Sequence, residues 1–144
     1  MRDVTRSIYR FLQADSDLPS LLGSYAGAAS IFTSIPVPET AGNPFVSISG
    51  SVSDVDVGTK NSQMRSVSVL VGVYADADGN VDLVEEIGEH LRDILGHKIN
   101  TEAKLDIRHW DAVVVGTSGP IVNDVEDLYG RVITVDLLLH QIAN

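Results

Sequence analysis

Four oxygen-bearing residues at alternate positions, Asp76, Asp78, Asn80 and Asp82, are the part of this sequence most suggestive of ion chemistry. Hard cations such as calcium take oxygen ligands, and a calcium loop of the EF-hand type begins with this spacing. The remainder of such a loop is missing. Counting from Asp76, the sixth place holds Val81 where the sharp turn needs glycine, and the twelfth holds Ile87 where the ion needs a bidentate glutamate. The stretch reads instead as a strand-to-helix turn, with Asn80 as N-cap and an acidic first helical turn.

The four histidines, His90, His97, His109 and His140, include no pair at a metal-ligand spacing such as His-x-x-x-His, so each reads as an isolated polar side chain. Ser118 lies in Gly116-Thr117-Ser118-Gly119, which is not the Gly-x-Ser-x-Gly of a nucleophile elbow, and there is no Gly-Lys-Ser/Thr phosphate loop. With 20 Asp and Glu among 144 residues, close carboxylate pairs are expected by number alone and identify no acid–base site. Cysteine is absent, which removes thiolate nucleophiles, disulfides and cysteine-ligated metals and makes intracellular synthesis the simplest reading. The sequence therefore predicts no catalytic, cofactor-binding or metal site, and a protein that is not an enzyme.

Ten Lys and Arg against the 20 acids leave a net charge of −10, which disfavours adhesion to nucleic acid, because phosphate binding depends on clustered cations. No apolar run approaches the length of a membrane span, and Arg2, Asp3, Arg6 and Arg10 break up the region a signal peptide would need. A chain 44% hydrophobic and of this length is expected to fold as a single domain, residues 1–144, around one core.

Two periodicities predict the elements that position everything else. Val4, Ile8, Phe11 and Leu12 recur at helical spacing; so do Val84, Ile87, Gly88, Leu91, Ile94 and Leu95, with Gly96 as the predicted stop. Alternation marks strands at Phe45–Ser49, Arg65–Tyr74, Leu105–Val115 and Tyr129–Gln141, and a short one near Ala29–Ser34. Asp15–Ala29 reads as a short apolar turn, and the loop at 116–120 separates the last two strands. The predicted class is α+β: a mainly antiparallel sheet with two principal helices on one face. The polar stretch Ser51–Ser62 is too long for a tight turn and predicts a loop between two strands, which together make a long β-hairpin arm reaching beyond its own domain.

The helices also carry opposite charges. Arg2, Arg6 and Arg10 line one side of the first, while Asp82, Glu85, Glu86, Glu89 and Asp93 line the second, with like charges four residues apart. A head-to-tail ring needs two different, complementary surfaces on every subunit, and these faces, represented by Arg2, Arg6 and Arg10 against Glu85 and Glu89, supply two. Solvated outer faces of ordinary helices would look the same.

The order of these features resembles the tail terminator, or tail completion, proteins of long-tailed bacteriophages and phage-like particles. The resemblance covers nearly the whole chain. It is carried by the first helix with its Leu18-Pro19-x-Leu21-Leu22-Gly23 continuation, the strand opening Pro44-Phe45-Val46-Ser47-Ile48, the long polar loop, Val67–Tyr74 leading into the second helix, and a closing strand from Tyr129-Gly130-Arg131-Val132. It departs at Gly50 and Ser51, where an acidic residue is common in that family, and in the length of His97–Leu128. The resemblance implies a structural virion protein, made and assembled in the host cytoplasm and located in the virion tail or neck. It would form a hexameric ring that caps the tail tube protein's polymer and offers an interface to a head connector or stopper protein. DNA would pass through the channel without specific binding. The arm, with Ser51, Asp54, Asp56, Lys60 and Arg65, would lie against a neighbouring subunit. The alternatives are a head-side connector or stopper protein of the neck and, in a different class, a small acidic ligand-binding domain or enzyme.

Overall fold

Val67, Val69, Val71 and Val73 are completely buried in the computed structural model, and with Ile133, Val135 and Leu137 they form the floor on which both helices rest. The structure describes residues 2–33, 42–56, 64–76, 81–98, 109–117, 121–123 and 128–140. The elements in chain order are α1 (Arg2–Ala14), α2 (Leu18–Leu21), β1 (Ser24–Tyr25), β2 (Ala28–Ala29), β3 (Ile31–Phe32), β4 (Phe45–Asp56), β5 (Met64–Asp76), α3 (Val81–Asp93), a π turn (Ile94–Lys98), β6 (His109–Thr117), β7 (Ile121–Asn123) and β8 (Leu128–His140). The main sheet has the order β3-β4-β5-β8-β6, with β7 also paired to β8, and the class is α+β as expected. Every pairing in it is antiparallel except β3 with β4, which run parallel through Ile31↔Val46 and Phe32↔Ser47.

Both helices lie on one face. Val4, Ile8 and Leu12 of α1 and Val84, Ile87 and Leu91 of α3 are buried, as their spacing predicts, and Ile94 and Leu95 extend the buried stripe into the π turn. The predicted stop at Gly96 therefore falls inside a last, widened turn. α1 packs over β3 and β4, α3 over β5 and β8, the π turn against β6, and α2 between α1 and α3.

The largest departure from the sequence reading lies in the arm. Ser51–Asp56, read as loop, is strand: β4 continues through two register shifts, between Ser49 and Ser51 and between Ser51 and Ser53, to pair Asp56 with Arg65. Small polar residues carry little β propensity, yet β5 offers a full row of backbone partners, and bulges absorb the irregularity. The hairpin is long, but it does not stand alone. β8 flanks β5 along its entire length, from Asp76↔Leu128 to Met64↔His140, and β6 flanks β8 as far as His109↔Leu139.

Asp15–Ala29, read as a simple turn, holds α2 and the β1–β2 hairpin, whose two turn residues Ala26 and Gly27 both have positive φ, as a type I′ turn requires. Just before it, Gly23 and Gly42 touch backbone to backbone: a Cβ on Gly23 would sit 2.3 Å from the carbonyl carbon of Gly42. Hydrogen bonds from Gly23 N–H to the Pro44 carbonyl, 2.9 Å, and from Gly42 N–H to the Ser24 carbonyl, 3.0 Å, fasten this crossing. It is what seats β3 beside β4.

Candidate interaction surfaces

On the face of the sheet turned away from the helices, a row of rings crosses the strands. Tyr25 meets Phe32 edge-on at 5.6 Å, Phe32 meets Phe45 at 6.3 Å, and Phe45 meets Tyr74 at 5.6 Å with the planes tilted by 31°. Alternation places them there: Val46, Ile48, Val73 and Ala75 are buried beneath the helices, so Phe45 and Tyr74 must point the other way. The Tyr74 ring lies across Gly72 and Gly130, and a Cβ on Gly130 would fall 2.2 Å from its Cδ1. Burial pushes the Tyr74 hydroxyl above the ordinary tyrosine range. Beyond the rings the same face turns to short polar side chains, Ser47, Ser49, Ser66, Ser68, Thr134 and Asp136, all partly buried. Ser68 and Asp136 are register partners, and the Ser68 hydroxyl donates to the Asp136 carboxylate. Among the described residues, no helix covers this face.

The outer surface of the helix layer is charged. Arg6 and Arg10 of α1 are exposed, one turn apart, and Arg2 begins the same helix. On α3, Asp82, Glu86, Glu89, Arg92 and Asp93 are exposed. Glu85 behaves differently from Glu89. The Nε–H of Arg131 and the hydroxyl of Tyr129 both donate to its Oε1, at 2.7 and 2.5 Å, and tie α3 to β8. These bonds, that from Arg131 first, hold the Glu85 carboxyl below its usual range, and the bond to Glu85 raises Tyr129 and Arg131. Because Glu85 is well exposed, solvent screens the pair and its contribution is small.

Between α2 and α3 lies an open recess of about 490 Å³ lined by Asp17, Ser20, Leu21, Glu86, Glu89 and His90. Its inner wall is fixed by a buried carboxylate. Asp15, whose side chain is 2% exposed, accepts the Leu18 N–H at 2.9 Å, the Asp17 N–H at 3.2 Å and the His90 ring Nε2–H at 2.7 Å. One oxygen thus closes the α1–α2 corner and pins it to α3. Sequence spacing could not reveal this contact, since Asp15 and His90 stand 75 positions apart.

Of the residues singled out from the sequence, Ser51, Asp54 and Asp56 lie on β4 and Arg65 on β5, whereas Lys60 lies outside the described residues, as do Asp78, Asn80 and Ser118. His109 and His140 lie on the strands β6 and β8 and His97 in the π turn. Among the described residues, no group of three or more His, Asp or Glu side chains could hold a metal ion, and no helix is long and apolar enough to cross a membrane.

No known protein family matches the chain, and no curated protein matches it. Among solved structures, it is similar to a chain from the virion of a native gene transfer agent particle. The TM-score is 0.75, the identity 16%, and the match covers 96% of this chain and 95% of that one.

Proposed function

We propose that this chain is a structural protein of a phage-like particle, one subunit of a hexameric ring that caps the tail tube, ends its polymerisation and presents a docking surface for the head. The observation that carries the reading is the match, nearly end to end in both chains, with a component of a gene transfer agent virion. The order of helix, hairpin, helix and closing strand, on which the resemblance to tail terminators rests, agrees with it. The mechanism is geometric. A closed ring of heterologous contacts matches the last tube ring on one side and the head connector on the other, so ending the polymer requires no bond to form or break. In this reading the protein is not an enzyme and needs no cofactor; its negative charge lets DNA pass through the channel without being held.

The long strand pair suits such a role, because β4 and β5 carry Ser51, Asp54, Asp56 and Arg65 to the far end of a four-stranded ribbon where a neighbouring subunit can be reached. Particles produced without this protein test the proposal directly. Electron microscopy is expected to find overlong tubes lacking heads; tails of normal length joined to heads would refute it. A head-side connector shares this architecture class, and co-sedimentation with purified tail tube protein, against purified connector protein, separates the two.

A further inference from the structure

Among the described residues, the ribbon of β4, β5, β8 and β6 has two long edges with no strand beside them. β3 meets β4 only at Val46 and Ser47, which leaves the outer edge of β4 open from Ile48 to Asp56, and β6 borders β8 on one side alone. The two edges stand level across the sheet. Ser53 leads through Ser68 and Asp136 to Val113, Asp54 through Val67 and Leu137 to Ala112, and Val55 through Ser66 and Leu138 to Asp111. Every one of these pairings is antiparallel, so β6 runs opposite to β4. Both strands are regular at this height. The register shifts of β4 fall before Ser53, and those of β6 lie on either side of the run from Asp111 to Val114. An open edge presents a row of backbone donors and acceptors that fits another strand, and bulges bend the strand that carries them.

We infer that neighbouring copies join edge to edge, with the Ser53–Asp56 stretch of β4 in one copy pairing with the Asp111–Val114 stretch of β6 in the next. This rests on the ring assembly proposed above and assigns its contact. A second copy is the occupant because the chain carries both halves of the pair, two regular edges at one height and of opposite direction. Copies set side by side in one orientation therefore meet as an antiparallel ladder, in which main-chain hydrogen bonds supply the contact. The two edges differ, so the contact is head-to-tail and every subunit uses both. Closing the ring leaves neither edge open, and the bends at the bulges supply curvature for that closure.

Two measurements test the pairing. In the unaltered chain, backbone hydrogen exchange within Ser53–Asp56 and Asp111–Val114 should slow about tenfold or more when dissociated subunits assemble. The second uses the absence of cysteine from the sequence, which makes introduced thiols the only ones present. Variants carry one cysteine at each position of Ser53–Asp56 in turn, combined with one at each position of Asp111–Val114. Within a copy the two strands are three strand spacings apart, about 14 Å, which is too far for a disulfide, so every bridge between the two edges joins different copies. Variants that sediment as rings when reduced should, at matching positions, oxidise to a series of linked species running up to the full ring, while single-cysteine controls stop at pairs. Edge amides that exchange equally fast in rings and free subunits, or rings in which no combination links more than two copies, would overturn the pairing while the ring stands. If the unaltered chain stays monomeric even with tail tubes present, the ring itself is overturned, and the pairing with it.

Discussion

The two faces of the main sheet are built from the same strands and obey different demands. Beneath the helices, every described inward position of β5 and β8 from Val67 to Ala75 and from Ile133 to Leu137 is aliphatic and buried. On the other face the same strands carry Ser66, Ser68, Leu70, Gly72 and Tyr74, and Val132, Thr134 and Asp136, a mixture that no core would select. Packing density constrains the first face, where a lost methylene leaves a cavity. The second is free of that constraint, and its aromatic row from Tyr25 to Tyr74 concentrates apolar surface where the chain's own helices do not use it. Stability is therefore read on the first face, and the second is left uncovered by the chain's own helices among the described residues.

Substitutions can break or sharpen this division. Ile87→Ala, in the centre of the helix-covered core, is expected to lower stability by about 2–5 kcal/mol in denaturant unfolding. A loss below about 1 kcal/mol would mean that α3 does not anchor the sheet. Gly23→Ala forces a methyl into the Gly42 backbone and should cost up to about 3 kcal/mol, since neither backbone can rotate aside. Asp15→Asn, measured by thermal unfolding, should cost about 1–2 kcal/mol, because a neutral amide replaces the charged acceptor of three hydrogen bonds. Phe45→Ala on the bare face should cost only about 1 kcal/mol, the worth of its ring contacts. It should weaken assembly more than it weakens folding; the reverse order would erase the distinction between faces. Smallest of all is Glu85→Gln. The folded Glu85 carboxyl lies below its ordinary range, so its stabilisation is present at neutral pH and fades as the pH falls through that range. The melting temperatures of variant and unaltered chain should differ slightly near pH 7 and converge in acid.

Periodic elements were legible in the amino-acid order, because period 2 and period 3.6 each leave one buried face. The alternation of β5 and β8 and the apolar stripe of α3 identify the buried residues one by one. Ser51–Asp56 was not legible, since its strand character comes from the pairing row on β5 and its own residues signal loop. β7 is too short to show a period and depends on β8; β3 was expected within Ala29–Ser34, but its parallel pairing was not, because that depends on the Gly23–Gly42 crossing. At the surfaces, the charge stripes of α1 and α3 are visible from spacing. The capture of Glu85 by Arg131 and Tyr129 is not, because it depends on where β8 passes beneath α3. The recess likewise exists only once Asp15 and His90 meet.

β8 lies between β5 and β6, and both strands are synthesised before it. Met64 finds its ladder partner only at His140, so the emerging chain holds two unpaired strand edges until Leu128–His140 has left the ribosome. Contacts so distant in sequence make for slow closure. An unfinished subunit thus lacks the central strand that joins its two halves, and the sheet is completed only by the segment made last.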